Sequence, residues 1–329
     1  MTSKLAIVMP AYNAAELLTK TLPPLLSAQP DGGVWVVDPA STDSTARIAE
    51  DLGAHVIRLP QREGPAIARN AGVKATDAQV ILFIDADCLM PADLPSRVER
   101  LFESNPQMVS LTGSYDAKPA HRGLVSLYMN LRHHYTHQKA SQAGSTFWAG
   151  MGAVRRNAFD EAGGFDGERF PRPMIEDIEL GLRLTRLGET HLDPTLQVKH
   201  LKHWTLGGMI RTDIMARAIP WTRLIQETGQ IPDDLNLKWS GRLAALIAPL
   251  SLAGAAALPL SLLLGRIALI GLVPIAFSIL LSAQFLSLLA RAGGIHVAIG
   301  GWALHQLHLF YSAACFVMCS MLRKKETSS

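Results

Sequence analysis

Two aspartates, Asp85 and Asp87, end an apolar stretch of the chain, and their type and spacing suggest chemistry. The stretch VILFI, residues 80 to 84, does not alternate polar and apolar residues, which is typical of a strand covered on both faces of a parallel sheet. Carboxylates after such a strand lie where open α/β sheets bind ligands, and two of them one residue apart can share a divalent cation and the phosphate oxygens it holds. The alternative is that one Asp caps the following helix while the other lies in the loop.

Strand-like and helix-like segments alternate around this motif. Residues 5–12, 33–40, 55–60 and 80–85 have the composition of strands, and residues 14–28, 41–53 and 64–76 have the pattern of helices. Repeated strand and helix units predict an α/β fold with a doubly wound, mostly parallel sheet and helices on both faces. Its ligand crevice would collect the loops at residues 10–13, 38–41 and 85–87.

Composition excludes several classes of protein. The chain has 329 residues, 48% of them hydrophobic, and a formal net charge of +3, which is too weakly basic for a nucleic-acid binder. Three cysteines, Cys88, Cys315 and Cys319, have neither metal-site nor disulfide spacing. The N-terminus lacks the long apolar core of a signal peptide, so we expect this part of the chain to fold in the cytoplasm.

The apolar residues concentrate in the C-terminal third of the chain. Residues 243–264 and 267–290 contain no Asp, Glu, Lys or Arg and exceed the roughly 20 residues that a membrane helix needs. Residues 295–322 also lack these four residue types but contain three histidines, so this segment either spans the membrane or lies partly in the interface. C-terminal transmembrane helices are therefore expected after the α/β domain.

The segment before these helices mixes apolar residues with arginines. Met209, Ile214 and Trp221 lie among Arg211 and Arg217, which suits a helix, broken at Pro220, on an anionic membrane surface. An ordinary surface helix fits the pattern equally well. We expect a catalytic domain over residues 1–206, an interfacial segment over 207–240 and a transmembrane region over 241–329.

For the third apolar segment, residues 295–322, the positive-inside rule and the length of the segment predict different topologies. If residues 295–322 cross the membrane, Arg323, Lys324 and Lys325 end outside, against the positive-inside rule. If the segment does not cross, about 28 uncharged residues need shelter from water or lipid. Segment length favours three spans, with the catalytic domain in the cytoplasm.

Several motifs in order resemble those of a known enzyme family. They are PAYN after the first strand, VVDPASTDST after the second, REGPAIARNAG before FIDAD, and later GGFDGERFPRPMIEDIELGLRLTRLG. Together, over roughly residues 4 to 230, they are similar to family 2 glycosyltransferases with the GT-A fold. The segments TFWAGMGAVRR and HLKHWT resemble those of bacterial membrane-anchored members. The resemblance implies a hexosyltransferase-type enzyme of the cell envelope that uses a nucleotide-sugar donor.

The resemblance also implies where the donor binds. Asp38 would accept a hydrogen bond from the base or ribose, and Tyr12 would flank the base. Two departures from the family are Pro39, where a second Asp is common, and Ala14, where a Glu usually follows Asn13. The full set of residues expected to contact the donor is Pro10, Ala11, Tyr12, Asn13, Asp38, Arg62, Arg69, Asp85 and Ala86.

The same resemblance implies a cation at the second aspartate. Asp85 would lie on the nucleoside side, and Asp87 would bind Mg²⁺ or Mn²⁺ together with the diphosphate. Arg62 and Arg69 would offset the negative charge of the donor phosphates. The alternative for Arg62 is a solvated arginine on the protein surface.

Glu176 and Asp177 open EDIELGLRLTRLG, and the Asp of this pair is the family's catalytic base. A carboxylate opposite the leaving group takes the proton of the acceptor hydroxyl, which implies inversion when displacement is direct. Glu176 would orient Asp177 or contact the acceptor. The alternative is that the two acids have no catalytic role and only stabilise the helix, because negative charge in the first turn complements the helix dipole.

HLKHW stands where processive relatives have Q-x-x-R-W. His200 is a candidate metal ligand, and Lys202, His203, Trp204 and Trp148 are candidate contacts to diphosphate or acceptor.

Three more histidines, His133, His134 and His137, include an i, i+4 pair that suits zinc, but no third ligand is evident. A lid or acceptor loop is favoured there.

The sequence thus predicts an inverting, metal-assisted transfer from a UDP or GDP sugar to a lipid-linked or membrane-proximal acceptor hydroxyl. The protein would lie in the bacterial inner membrane and bind no nucleic acid. The alternative is a catalytically silent membrane protein that keeps the fold as a binding or assembly module.

Overall fold

The computed structural model describes residues 5–28, 30–141, 143, 146–229, 239–260 and 267–326. The chain divides into two compact units. The sheet unit comprises Met1–Asp116 and His137–Lys202, and the helical unit comprises Ala117–Thr136 and His203–Ser329.

The sheet unit contains an eight-stranded sheet with the order β3-β2-β1-β4-β7-β6-β8-β5. Its strands are β1 (Leu5–Pro10), β2 (Val34–Asp38), β3 (His55–Arg58), β4 (Val80–Ile84), β5 (Cys88–Leu89), β6 (Met108–Tyr115), β7 (Met151–Arg155) and β8 (Glu189–His200). The helices of this unit are α1 (Ala15–Ser27), α2 (Thr45–Asp51), α3 (Pro65–Lys74), α4 (Leu94–Ser104), α6 (Arg156–Glu161) and α7 (Glu176–Leu184).

Most strands of the sheet run in one direction. β1 to β4 are parallel, as the alternation of strands and helices predicted. β7 lies between β4 and β6 and runs antiparallel to both, and β8 is parallel to β6 but antiparallel to β5. The α/β fold with a mostly parallel sheet is confirmed, since six of the eight strands run in the same direction. The reversed strands are β5 and β7, whose directions depend on distant partners that their own residues do not reveal.

The central strands are buried on both faces. Leu5, Ile7 and Met9 of β1 belong to one hydrophobic cluster, whereas Ala6 and Val8 belong to the cluster on the opposite face. Helices cover both faces of such a sheet, so no strand position needs a polar residue until the strand ends. This explains the uninterrupted apolar runs that precede Asp38 and Asp85.

The described residues of the helical unit lie almost entirely in helices. They are α5 (Leu124–Lys139, with its last turn in the sheet unit), α8 (Leu206–Arg211), a π-helical segment (Thr212–Ala218), α9 (Ile219–Thr228), α10 (Trp239–Ala257), a 3₁₀ turn (Leu258–Leu260), α11 (Ile267–Ile270), α12 (Leu272–Gly293) and α13 (Ile295–Glu326). The predicted break at Pro220 is wrong, since the helical path runs from α8 through the π-helical segment into α9. Pro220 lies in the first turn of α9, where a missing N–H is tolerated.

Two helices among the described residues are long and apolar enough to cross a membrane. They are α10 and α12, which correspond to the first two predicted spans, although residues 261–266 of the first span lie outside the described residues. The third predicted span forms α13 but is not in this class. His296, His305, His308 and Gln306 lower its apolar character.

Two consecutive arginines, the last residue of β7 and the one that follows it, contact the ends of two helices. Arg155 donates to the carbonyls of Phe102 and Asn105 at the end of α4. Arg156 donates to the carbonyls of Val73, Thr76 and Ala78 after α3. Because the last carbonyls of a helix have no partner within it, these guanidinium groups complete both termini.

We expect Arg156→Ala to lower the free energy of unfolding by about 2 kcal/mol or more, since three carbonyls lose a charged donor. Arg47→Ala is the matched control, because the Arg47 side chain is 81% exposed and pairs only with Asp51 in its own helix turn. The control should stay within about 0.5 kcal/mol of the parent in chemical denaturation. Equal effects of the two substitutions would show that Arg156 has no capping role.

Candidate functional site

The loops after β1 and β2 are tied to each other. Asn13 accepts a hydrogen bond from the Thr42 amide at 2.9 Å and donates its own amide to Ser41 Oγ at 2.9 Å. Buried Asp38 accepts from the Ser41 amide at 2.8 Å. Asn13 and Ala40 have φ values of 48° and 59°, which non-glycine residues rarely adopt. The two loops therefore form one pre-shaped edge at the carboxyl ends of these strands.

The other predicted donor residues of the first loop lie beside this edge. The Arg62 guanidinium carbon is 4.6 Å from the centre of the Tyr12 ring, so a cation and an aromatic face are already paired there. Pro10 ends β1, and the buried Ala11 donates its amide to the Val37 carbonyl at 2.9 Å.

Arg69 joins two carboxylates from distant parts of the chain. Its Nη2 lies 2.7 Å from Asp85 Oδ1, and its Nη1 lies 3.0 Å from Glu176 Oε1. Only 4% of Arg69 is exposed, and its guanidinium carbon is 5.4 Å from the centre of the Phe165 ring. The structure thus places Arg69 between acidic side chains, whereas the sequence placed it against the donor phosphates.

Asp87 and His200 meet because of strand register. β5 pairs antiparallel with β8, so Cys88 lies opposite His200, and the Leu201 amide donates to the Asp87 carbonyl at 2.8 Å. This pairing brings the two side chains together, and His200 Nε2 lies 3.3 Å from Asp87 Oδ2. Ala86, between the two aspartates, accepts from Thr21 Oγ1 through its carbonyl.

The local charges keep Asp87 ionised. Burial alone would raise the pKa of this carboxyl, but the hydrogen bond and charge of His200, together with the charge of Lys202, lower it below its ordinary value. Lys202 is exposed and belongs to the sheet unit.

The Asp87 and His200 pair fits a divalent cation that a ligand also helps to hold. One carboxylate and one imidazole are too few to bind a cation alone, and no group of three candidate ligand side chains occurs among the described residues. Diphosphate oxygens would supply the remaining ligands. The mixed oxygen and nitrogen donor set suits Mn²⁺ better than Mg²⁺, which takes oxygen ligands.

Asp177 lies in the first turn of α7 with both oxygens held by backbone amides. Its Oδ2 accepts from the Ala149 amide at 3.2 Å and its Oδ1 from the Ile178 amide at 2.9 Å. Burial, and then the neighbouring Glu176, raise the pKa of Asp177 to about 7, while Arg69 opposes this shift. A carboxyl group with this pKa can accept and release a proton near neutral pH.

A row of aromatic rings adjoins these two groups of residues. Tyr115 stacks on His200 with ring centres 4.4 Å apart, and Trp148 meets the Tyr115 edge at 4.6 Å. Gly150 has no Cβ, which leaves room for the Trp148 ring. His137, from the predicted histidine cluster, lies 5.0 Å from the Trp148 ring.

Other predicted residues belong to the helical unit. His203 contacts the His121 ring, and Trp204 is buried with its amide donating to Ser126 Oγ. His133 and His134 lie on α5, and His133 Nε2 is 2.9 Å from Arg217 Nη1.

Sequence reasoning missed Tyr115 and the Ala149 amide. Tyr115 ends β6, so the rule that ligands bind at strand ends could have found it. A backbone donor such as Ala149 has no side-chain signature.

A protein-family model matches the first half of the chain. The model for glycosyl transferase family 2 matches residues 6–163. Protein RfbJ of Shigella flexneri is 30% identical over 106 residues, which cover 32% of this chain and 81% of that protein.

A second relative matches only in part. Poly-beta-1,6-N-acetyl-D-glucosamine synthase of Staphylococcus epidermidis is 27% identical over 115 residues, which cover 33% of this chain and 28% of the synthase. The chain therefore matches less than a third of the length of that enzyme.

A solved structure resembles most of the chain. The mannosyltransferase PcManGT from Pyrobaculum calidifontis, in complex with GDP-Man and Mn²⁺, has a TM-score of 0.57 at 20% identity and covers 95% of this chain and 87% of its own. This similarity supports the GT-A fold. The family is shown by the Shigella relative, 81% of which matches this chain at 30% identity: the chain belongs to glycosyl transferase family 2, whose model matches residues 6–163.

Proposed function

We propose that this glycosyltransferase moves a sugar from UDP or GDP to the hydroxyl of a lipid-linked or membrane-proximal acceptor, with inversion at the anomeric carbon. The observation that carries the proposal is the carboxylate of Asp177, which the amides of Ala149 and Ile178 hold in the first turn of α7, where burial and Glu176 raise its pKa. In the same unit, Asp87 and His200 form a place for a cation and a diphosphate. A silent binding module has no need for a tuned acid of this kind.

Asp177 would act as the base in a single displacement. Its ionised carboxylate takes the proton of the acceptor O–H, and the acceptor oxygen forms the new bond to the anomeric carbon. The bond from that carbon to the phosphate oxygen breaks, and its electron pair leaves with the nucleoside diphosphate. The amides of Ala149 and Ile178 fix the orientation of the carboxylate, which favours a reactive geometry before the acceptor binds.

The donor would lie along the loops after β1, β2 and β4. Asp38 and Tyr12 would hold the nucleoside, and Arg62 is close enough to Tyr12 to approach the same ligand. A divalent cation at Asp87 and His200 would neutralise charge on the departing diphosphate. Lys202, whose charge already acts on Asp87, would add to this stabilisation.

We propose a different role for Arg69. Both of its terminal nitrogens contact carboxylates and its side chain is buried, so it positions Asp85 and Glu176 rather than binding phosphate. Glu176 also accepts from the Met174 amide, which fixes the start of α7 next to Asp177.

The protein would be anchored in the bacterial inner membrane through α10 and α12. Nucleotide sugars are made in the cytoplasm, so we place the sheet unit on the cytoplasmic side. An acceptor held at the membrane would then be within reach of an enzyme anchored there.

Asp177→Asn should lower the rate of sugar transfer by about 100-fold or more while leaving nucleotide binding nearly unchanged, since the base acts on the acceptor. Glu179→Gln is the matched control, because Glu179 lies on the same helix but pairs with Arg183. Transfer is measured with radiolabelled UDP and GDP sugars on membrane extracts, and binding is measured by calorimetry. Turnover of Asp177→Asn close to that of the control would reassign the base.

Binding of the diphosphate should depend on His200. With Mn²⁺, UDP or GDP should raise the melting temperature of the parent protein, EDTA should abolish the shift, and His200→Ala should weaken the apparent affinity about tenfold or more. His191→Ala serves as the control, since His191 lies on the same strand and pairs with Glu189. Stabilisation that persists in EDTA, or that is equal in both variants, would contradict the proposed cation site.

A further inference from the structure

Tyr115 is a buried aromatic residue beside the pair formed by Asp87 and His200. It is the last residue of β6 and is 6% exposed. Its ring lies nearly parallel to the His200 ring, with the ring centres 4.4 Å apart and an angle of 12° between the planes. Tyr115 therefore covers one face of the imidazole whose Nε2 faces Asp87.

The stack follows from the register of β6 and β8. Tyr115 pairs with Val198 in this parallel ladder, and both residues belong to the same hydrophobic cluster. The Asp116 amide donates to the Val198 carbonyl at 2.9 Å. Residues two apart on a strand face the same side of the sheet, so His200 lies on the same face as Val198. The backbone therefore brings the two rings to one face of the sheet.

Contacts on other sides restrict the Tyr115 ring. Trp148 meets it almost at a right angle, with an interplanar angle of 81° and ring centres 4.6 Å apart. The Trp148 amide donates to Thr112 Oγ1 of β6 at 3.3 Å. The Tyr115 side chain also forms a hydrogen bond with Cys88 of β5. Groups from β5 and from the segment before β7 thus limit the movement of this ring.

A histidine that binds a cation needs a support of this kind. The torsion that turns the imidazole ring, χ2, has a broad distribution in histidine side chains. The contact between His200 Nε2 and Asp87 Oδ2, at 3.3 Å, also orients the ring. A cation held by these two atoms would replace their direct contact. The stack on Tyr115 does not use Nε2, so it persists when the cation binds.

We propose that Tyr115 is a positioning residue for the cation, whose ring keeps the His200 imidazole turned with Nε2 toward Asp87. The inference deepens the proposed function and rests on its cation site at Asp87 and His200. Replacing a group that orients a metal ligand typically weakens metal binding about tenfold or more. The ring of Tyr115 carries the effect and its hydroxyl does not, because the ring makes the stack.

The test compares Tyr115→Leu, which removes the stacked ring, with Tyr115→Phe, which keeps the ring and removes only the hydroxyl. The full-length protein is loaded with Mn²⁺ and with UDP or GDP, whichever nucleotide stabilises the parent. Calorimetry measures the affinity, and electron spin echo spectroscopy measures the coupling of Mn²⁺ to a bound imidazole nitrogen. Tyr115→Leu should weaken the affinity about tenfold and reduce the nitrogen signal, whereas Tyr115→Phe should keep both.

Trp35→Leu is the matched control. Trp35 stacks on His55, with ring centres 4.5 Å apart, on two other strands of the same sheet. This substitution therefore also removes an aromatic ring from a histidine, and the melting temperature without nucleotide reports the stability lost in each variant. The control should keep the affinity and the nitrogen signal of the parent. An equal loss of affinity in Trp35→Leu and Tyr115→Leu would overturn the proposal.

Further outcomes separate the role of Tyr115 from the cation site itself. His200→Ala should remove the nitrogen signal, and a parent protein without that signal would refute the cation site together with the role of Tyr115. A parent signal and affinity that are unchanged in Tyr115→Leu would leave the cation site in place and overturn the positioning role. Weakened binding in Tyr115→Phe would contradict the role of the ring even if the leucine variant did not fold.

Discussion

One buried guanidinium, that of Arg69, holds the candidate site together. It comes from α3, contacts Asp85 at the end of β4 and Glu176 at the start of α7, and its charge acts on Asp177. Without a cation among them, three carboxylates this close would repel one another and could not all stay ionised. Burial and the charge of Glu176 raise the pKa of Asp177 to about 7, and Arg69 opposes this shift. Asp85, proposed to contact the donor, and Glu176, next to the proposed base, are therefore both positioned by ion pairs with Arg69.

Elsewhere the fold positions groups through the backbone. The antiparallel register of β5 and β8 places His200 beside Asp87, although more than a hundred residues separate them in sequence. The turn that contains Ala149 holds Asp177 through an amide, and Trp148, just before it, contacts Tyr115. Tyr115 in turn stacks on His200, so aromatic contacts link the surroundings of the base to those of the cation pair.

The sequence predicted those parts of the structure that depend on local patterns. Uninterrupted apolar runs located β1, β2 and β4, with Asp38 as the last residue of β2 and Asp85 directly after β4. Motif order predicted Glu176 and Asp177 as a pair at the start of a helix, which the structure contains.

What the sequence could not predict depends on long-range contacts. The direction of β7 is decided by its position between β4 and β6, and the partners of Arg69 are known only once α7 has packed. Arg155 and Arg156 donate to carbonyls at the ends of α4 and α3, partners that lie far from them in sequence. The length of residues 295–322 predicts a third span, but it does not reveal that His308 and Tyr311 of this segment contact Asp213 on another helix.

The central claim is that the fold keeps Asp177 poised to exchange a proton near neutral pH. It is tested most directly by infrared titration of the carboxyl bands in the full-length protein, with the Asp177→Asn spectrum subtracted so that one group remains. The account predicts a protonated carboxyl band that disappears with a midpoint at about pH 7. A midpoint near the ordinary aspartate value of about 4 would contradict it.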